Sequence, residues 1–153
     1  RDVIESNDIG KIVLEQLSRR IEKFAGAALF IDYGLARPEY GDTMQSYKRH
    51  KRVDVLRNTG GQDVTANVDF SALVMVSEPI VQVHGPVLQG EFLMRVGIVE
   101  RAEVLCRATN DPIKRGKERL AVRRLTNATD MGAKFKVLGL TRKGGPVNPA
   151  GFQ

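Results

Sequence analysis

A helix-forming segment that runs directly into an unbroken apolar strand constrains the fold of this chain more than any other feature. Apolar residues recur at steps of three and four over residues 9–24, after Asn7 and Asp8, either of which can cap a helix. Gly26 predicts the end of that helix. Residues 27–31 (AALFI) are apolar without alternation, which is typical of a strand buried on both faces in a parallel sheet flanked by helices. The sequence therefore predicts an α/β fold.

The triplet Asp32-Tyr33-Gly34 follows this apolar run and is expected to close the strand. In open α/β sheets, ligands bind beyond the carboxyl ends of the strands, so the triplet is well placed for function. A second interpretation stays open, in which Asp32 caps a turn and Gly34 supplies a permissive backbone angle.

The remainder of the chain predicts a long loop region and then a series of shorter elements. Residues 35–69 lack a long periodic segment and are interpreted as a functional loop region with short elements. Downstream patterns predict a helix that starts near Asp69 and ends before Pro79, a strand over 80–84, helical segments over 91–108, a basic helix over 114–125, a strand over 135–140 and a flexible tail over 141–153.

Charge and composition restrict the partners and the chemistry. The net charge of +6 permits contact with nucleic acid, anionic lipid or an acidic protein without establishing any of them. The single cysteine, Cys106, cannot form an internal disulfide, which fits a reducing compartment. No apolar stretch approaches the ~20 residues that a membrane helix needs. His50 and His84 have no third ligand at a usual spacing, so no metal site is predicted.

The basic run 48–52 (KRHKR) has two interpretations, a phosphate-binding or acidic-protein-binding loop and an ordinary solvated face. Tyr47 alone does not provide the interleaved aromatic residues that a single-stranded nucleic acid platform requires. The known glycine-rich, nucleophile-elbow and metal-binding motifs are absent from the sequence.

Several short motifs occur in an order that is far more specific than any one of them. They are 27–34 (AALFIDYG), 41–45 (GDTMQ), Arg49-His50, 63–70 (DVTANVDF), 84–90 (HGPVLQG), Phe92-Leu93, Gly97-Ile98 and 131–138 (MGAKFKVL). In this order the chain resembles the C-terminal half of the MidA-like S-adenosylmethionine-dependent methyltransferases, from Val3 to Leu140.

The resemblance implies a class I, Rossmann-like methyltransferase fold with a mostly parallel sheet. It implies residues 1–140 as the C-terminal half of the catalytic domain, with the glycine-rich loop for S-adenosyl-L-methionine upstream, so that this chain alone is expected to be inactive. The family's mitochondrial member implies symmetric dimethylation of an arginine on a core subunit of respiratory complex I. The expected location is the mitochondrial matrix, or alternatively the bacterial cytoplasm, without nucleic acid as a partner.

Residue by residue, the resemblance implies Asp32 and Tyr33 as the catalytic pair. A carboxylate beside a guanidinium orients it and favours its attack on a methyl group, and Tyr33 can serve as a wall or a donor. The substrate-binding candidates at matching motifs are Asp42, Gln45, His50, Asp69, Gln89 and Gly90. Asp69 could instead cap a helix, and the others could brace loops.

The leading hypothesis is thus part of an arginine methyltransferase. The alternative is a non-catalytic binding or assembly module that retains the substrate-docking surface. A third hypothesis, nucleic-acid binding, depends on charge alone. Under the methyltransferase hypothesis the basic segments 48–52 and 114–124 are expected to lie outside the catalytic pocket, on docking or solvent surfaces.

Overall fold

The computed structural model describes residues 3–37, 39–57, 60–145 and 149–153, in which a run of strands precedes a run of helices. In chain order the elements are α1 (Asp8–Phe24), β1 (Ala27–Leu35), β2 (Gln45–Lys48), β3 (Lys51–Val53), β4 (Asp63–Thr65), β5 (Val68–Asp69), α2 (Phe70–Ser77), β6 (Gln82–Leu88), α3 (Gln89–Arg95), α4 (Ile98–Arg107), α5 (Pro112–Thr126), α6 (Met131–Lys134) and β7 (Phe135–Thr141). Among the residues described, no helix has the length and apolar character needed to cross a membrane.

The main sheet has the strand order β5-β1-β7-β6. β5 pairs parallel to β1, whereas β7 pairs antiparallel to both β1 and β6, so β1, β5 and β6 share one direction. The α/β prediction is confirmed, although in the described part of the chain only one pair of neighbouring strands, β1 and β5, is parallel. The reversal has a simple origin: α6 ends at the carboxyl edge of β1, so β7 begins there and must run back.

One face of the main sheet carries the hydrophobic core beneath α1 and α2. Leu138 and Leu140 of β7 are fully buried and pack with Phe70, Ile21 and Val81. Each such side chain contributes about 1.5–3 kcal/mol through burial. At the start of α1, the side-chain oxygen of its predicted cap, Asn7, accepts a hydrogen bond from the Gly10 N–H at 2.8 Å.

β1 differs from its prediction in two respects. The strand continues through Leu35, so the Asp32-Tyr33-Gly34 triplet lies inside it and does not close it. The second face of the strand is also covered only in part, because Leu29 and Ile31 on it remain 52% and 44% exposed. Among the described residues, α1 and α2 pack on the Ala28 and Phe30 side, and the neighbour paired with Leu29 is a glycine that offers no side chain.

The region interpreted as a long loop contains a second sheet. β2 pairs antiparallel with both β3 and β4, in the order β3-β2-β4. Ser46 is fully buried in this sheet, and its hydroxyl donates to the Asp63 carbonyl at 3.0 Å. Because these strands are three or four residues long, they are too short to produce a recognisable alternation of polar and apolar residues.

The strand predicted over 80–84 is also longer than expected. β6 runs from Gln82 to Leu88 and crosses the Gly85-Pro86 dipeptide through an irregularity in its pairing with β7, between His84 and Val87. Proline is tolerated at such irregularities because the pairing is already interrupted there.

The segment predicted as a flexible tail begins with the last residue of β7, and its end is packed. Gly151 is buried, and the Phe152 ring centroid lies 5.2 Å from that of Phe92 and 5.8 Å from that of His84. A Cβ atom added to Gly139 would lie 2.9 Å from the Phe152 ring, so the glycine makes room for it. Residues 149–153 therefore lie on the sheet face opposite α1, while residues 146–148 lie outside the described part of the chain.

This packing makes Phe152→Ala destabilising. We expect the free energy of unfolding of the intact protein to fall by about 1–3 kcal/mol, less than for a fully buried phenylalanine because Phe152 is half-buried. Urea unfolding measures the change, and Gln153→Ala is the matched control because Gln153 is exposed. Equal unfolding midpoints for the two variants would show that the aromatic contacts contribute nothing.

Candidate functional site

Three strands of the main sheet end at the same edge, because β1, β5 and β6 share one direction. α2 begins directly after β5, and α3 begins directly after β6. The register of β7 places Lys136 opposite Asp32 on one side and opposite Leu88 on the other. This carboxyl edge is where an open α/β sheet binds ligands. The candidate site is therefore built on Asp32 and its neighbours.

Asp32 presents an exposed carboxylate at this edge. One carboxylate oxygen accepts a hydrogen bond from the Tyr33 backbone N–H at 2.8 Å, which orients the group. Within the described residues this is the only hydrogen bond of the Asp32 side chain, and it forms no ion pair there. Because an ionised carboxylate has about four acceptor positions, most of its capacity is available to a ligand.

Tyr33 is held by an aromatic neighbour on the adjacent strand. Its ring meets that of Phe135 edge to face, with centroids 5.6 Å apart and planes at 78°. The favourable quadrupole geometry of such a pair restricts the orientation of the tyrosine. The two half-buried rings lie on the face of the sheet opposite the Asp32 side chain, because neighbouring residues of a strand point to opposite faces.

Lys136 is the charged neighbour that the sequence did not reveal. Its ammonium group donates to the carbonyls of Ala133 at 2.6 Å and Lys134 at 3.3 Å, which satisfies acceptors at the end of α6. Burial lowers the pKa of Lys136, and the Glu39 carboxylate opposes that shift. The motif over 131–138 included Lys136, but its position opposite Asp32 depends on the strand register.

Asp69 serves as the N-cap of α2, which confirms the second of its two interpretations. Its carboxylate accepts hydrogen bonds from the Ala72 N–H at 3.1 Å and from the Ser71 hydroxyl. Asp69 is paired with Leu35 of β1, so this N-cap also lies at the carboxyl edge of the sheet.

Gln89 and Gly90 brace the packing of helices, and their contact with substrate stays a prediction. Gln89 is 4% exposed, and its amide donates to the Leu125 carbonyl at 2.9 Å. A Cβ atom on Gly90 would overlap the Thr126 carbonyl oxygen, and one on Gly132 would overlap the same oxygen. The ends of α3, α5 and α6 thus converge on Thr126, a contact between residues too distant in sequence to be predicted.

The remaining candidates lie in or beside the second sheet. Asp42 accepts a hydrogen bond from the Met44 N–H at 3.1 Å, and Gln45 accepts one from the Tyr47 hydroxyl at 2.9 Å, so both stabilise local structure. His50 lies in the turn between β2 and β3. Asp32 and Tyr33 are thus neighbours on β1 with side chains on opposite faces of the sheet, and the other candidates lie at separate positions. Among the residues described, no cluster of three or more His, Cys, Asp or Glu side chains could hold a metal ion.

The sequence matches a family of known proteins over more than half of its length. The family model described as "Putative S-adenosyl-L-methionine-dependent methyltransferase" matches residues 1–87. Two curated relatives are named "Protein arginine methyltransferase NDUFAF7, mitochondrial". The Xenopus tropicalis protein is 35% identical over 136 residues, covering 89% of this chain and 31% of the relative. The Homo sapiens protein is 36% identical over 140 residues, covering 92% and 32%. The chain spans about a third of the length of these relatives.

Two solved structures from Burkholderia thailandensis share the fold. The first has a TM-score of 0.77 and 25% sequence identity and covers 97% of this chain and 38% of its own. The second has a TM-score of 0.74 and 26% identity, with coverages of 97% and 37%, and it is bound to S-adenosyl-homocysteine.

Proposed function

This chain belongs to the S-adenosyl-L-methionine-dependent methyltransferase family, and on that premise we propose that it is part of a protein arginine methyltransferase. The family resemblance and the methyltransferase fold are confirmed by the matches to sequence and structure. We propose residues 1–140 as the C-terminal half of the catalytic domain, which agrees with the share of each relative that the chain spans.

One observation carries the activity: an exposed, oriented carboxylate, Asp32, at the carboxyl edge of the sheet. A guanidinium is planar and offers paired N–H donors that match a carboxylate. Asp32 can therefore hold an arginine side chain in one orientation, stabilise its positive charge as a nitrogen attacks the methyl group, and accept the proton that this nitrogen loses. Tyr33 and Phe135 pack against each other on the other face of the sheet and hold the ends of β1 and β7 in register.

The cofactor supplies an activated methyl group on its sulfonium. The residues of this edge fit the acceptor side of such a reaction, because an acidic side chain suits a cationic arginine. The proposal that the protein uses S-adenosyl-L-methionine is supported by the family match and by the product-bound neighbour.

Our proposal also includes the location of the protein and the identity of its substrate. The relatives are named mitochondrial, which supports a mitochondrial location, with the matrix as the proposed compartment. We propose symmetric dimethylation of an arginine on a core subunit of respiratory complex I as the reaction. The alternatives are a bacterial cytoplasmic protein and a non-catalytic assembly module.

The test is methyl transfer by the intact protein from labelled S-adenosyl-L-methionine to purified complex I core subunits. We expect label in one subunit, with fragmentation mass spectrometry showing symmetric dimethylarginine. Binding of a subunit without any labelling would replace this proposal with the assembly module. Label on a residue other than arginine would refute the arginine assignment.

A further inference from the structure

The end of the hairpin formed by β2 and β3 carries four cationic side chains. Lys48, Arg49, Lys51 and Arg52 are all exposed, and His50 lies between them. Within the described residues, none of the ion pairs formed by the chain involves these four side chains. We refer to residues 48–52 as the hairpin tip. Its positive charge is directed toward solvent or a partner.

The strand pairing increases the concentration of charge at the tip. Lys48 lies directly opposite Lys51, and Tyr47 lies opposite Arg52. Like charges that face each other across an antiparallel pair destabilise it. A negatively charged partner that binds the tip would relieve this repulsion, so association there is electrostatically favoured.

The backbone of the turn is unfavourable for the residues that occupy it. Arg49 and His50 both adopt left-handed conformations, with φ of 50° and 62°. Two-residue turns of this kind prefer Asn-Gly, because most side chains disfavour positive φ. Strained backbone of this kind is concentrated at functional sites. The turn therefore exposes the Arg49 guanidinium and the His50 imidazole at positions where Asn and Gly would form the same turn with less backbone strain.

A cleft lies beside the tip and gives a ligand somewhere to bind. It has a volume of about 390 Å³ and is lined by residues that include Tyr47, Lys48, Arg49, Gly61 and Gln62. Its polar lining suits a carboxylate side chain of an extended peptide. Asp63 also lines the cleft, so an anionic ligand has to bind on the side of Lys48 and Arg49. Tyr47 donates to Gln45 and does not form part of an aromatic series for stacked bases.

The base of the hairpin is tied to the carboxyl edge of the main sheet. The Thr43 hydroxyl accepts a hydrogen bond from the Asn67 N–H at 2.9 Å, and the next residue, Val68, pairs with Gly34 of β1. Each strand residue adds about 3.3 Å, so the tip extends roughly 10 Å from Gln45 at the start of β2. An extended protein segment can cover that span with a few residues.

We propose that the hairpin tip is a docking site for an acidic segment of the same protein substrate that presents its arginine to Asp32. Binding of the acidic segment depends only on the cationic side chains of the tip and on the cleft. Its role in substrate recognition rests on the proposed function. The substrate class is thereby narrowed to proteins whose target arginine has a flanking run of Asp or Glu.

The test compares two variants of the intact protein with the same loss of charge. One replaces Lys48, Arg49, Lys51 and Arg52 with glutamine, and the control replaces Lys114, Lys117, Arg119 and Arg123 on the exposed side of α5. The probe is a fluorescent peptide rich in Asp and Glu, measured by anisotropy without cofactor. We expect Kd to rise by about tenfold or more in the hairpin variant and less than about twofold in the control. Equal weakening in both variants would reduce the effect to net charge and overturn the proposal.

A second variant guards against misfolding of the hairpin. Arg49→Asn with His50→Gly places preferred residues in the turn, so the hairpin should be retained while two side chains are lost. We expect weaker peptide binding with unchanged circular dichroism, and unchanged binding would count against the tip. If single-stranded RNA binds more tightly than the peptide, and the same variants lose that binding, the partner of the hairpin tip is a nucleic acid and the proposal is overturned.

Methylation assays separate this inference from the proposed function. If the protein binds the acidic peptide through the tip but transfers no methyl group, docking stands and the enzymatic proposal fails. If it methylates a substrate whose acidic flank has been neutralised with an unchanged KM, the enzymatic proposal stands and docking is refuted.

Discussion

Replacing Asp32 with asparagine is expected to lower arginine methylation by the intact protein at least about a hundredfold, the range typical for loss of a positioned acid or base. The substitution keeps the shape of the side chain and an oxygen for the Tyr33 N–H. It removes the negative charge that would orient a guanidinium and stabilise the charge that develops during transfer. Turnover with labelled S-adenosyl-L-methionine at saturating substrate measures the effect.

The matched control for this substitution is Asp130→Asn. Asp130 is also exposed, but it precedes α6 without capping it through its side chain, so we expect methylation to stay within about twofold. Binding of S-adenosyl-homocysteine and the circular dichroism spectrum should be unchanged in both variants. Normal turnover by the Asp32 variant would remove this residue from the site.

Gly34→Ala is expected to be the most destabilising single change at the candidate site. A Cβ atom at Gly34 would overlap the backbone carbonyl of Val68, and a carbonyl in a paired strand cannot rotate away as a side chain can. β5 pairs with β1 only at Gly34 and Leu35, so any displacement removes that strand and misplaces the Asp69 cap. We expect a loss of about 3 kcal/mol in the free energy of unfolding, at the upper end of ordinary overpacking.

Urea unfolding of the intact protein tests this expectation against Gly116→Ala. Gly116 lies within α5, and nothing would lie within 4 Å of an added Cβ. Alanine there should stabilise the protein by about 0.5–1 kcal/mol, because glycine is a poor helix former. The two glycine substitutions should thus change stability in opposite directions. If Gly34→Ala leaves the free energy of unfolding unchanged, β5 can move away from the added Cβ atom without loss of stability.

Local signals in the sequence were sufficient for much of the fold. The recurrence of apolar residues predicted α1, and the helix found after Asp69 begins where that carboxylate can cap it. The unbroken run from Ala27 to Ile31 located β1, and the basic pattern before Leu125 located α5. In each case the information lies within a few residues of the element.

What the sequence could not reveal depends on contacts between distant residues. Lys136 lies opposite Asp32 only because of the β1–β7 register, and Gln89 is buried because its amide reaches Leu125 of α5. The apolar run at 27–31 also suggested burial on both faces. Such a run shows that both faces of the strand are apolar, but it does not show which elements pack against each face. Leu29 and Ile31 are exposed for that reason.

The convergence of Gly90 and Gly132 on the Thr126 carbonyl has a consequence for motion at this end of the molecule. With no side chain between them, α3, α5 and α6 have no room to slide or rotate independently, so they move as one rigid body. A hinge on the helical side would have to carry all three helices together. Adjustment around a bound substrate is therefore left to the second sheet, which is linked to the β1–β5 pair by the two residues between β4 and β5 and by the Asn67–Thr43 hydrogen bond.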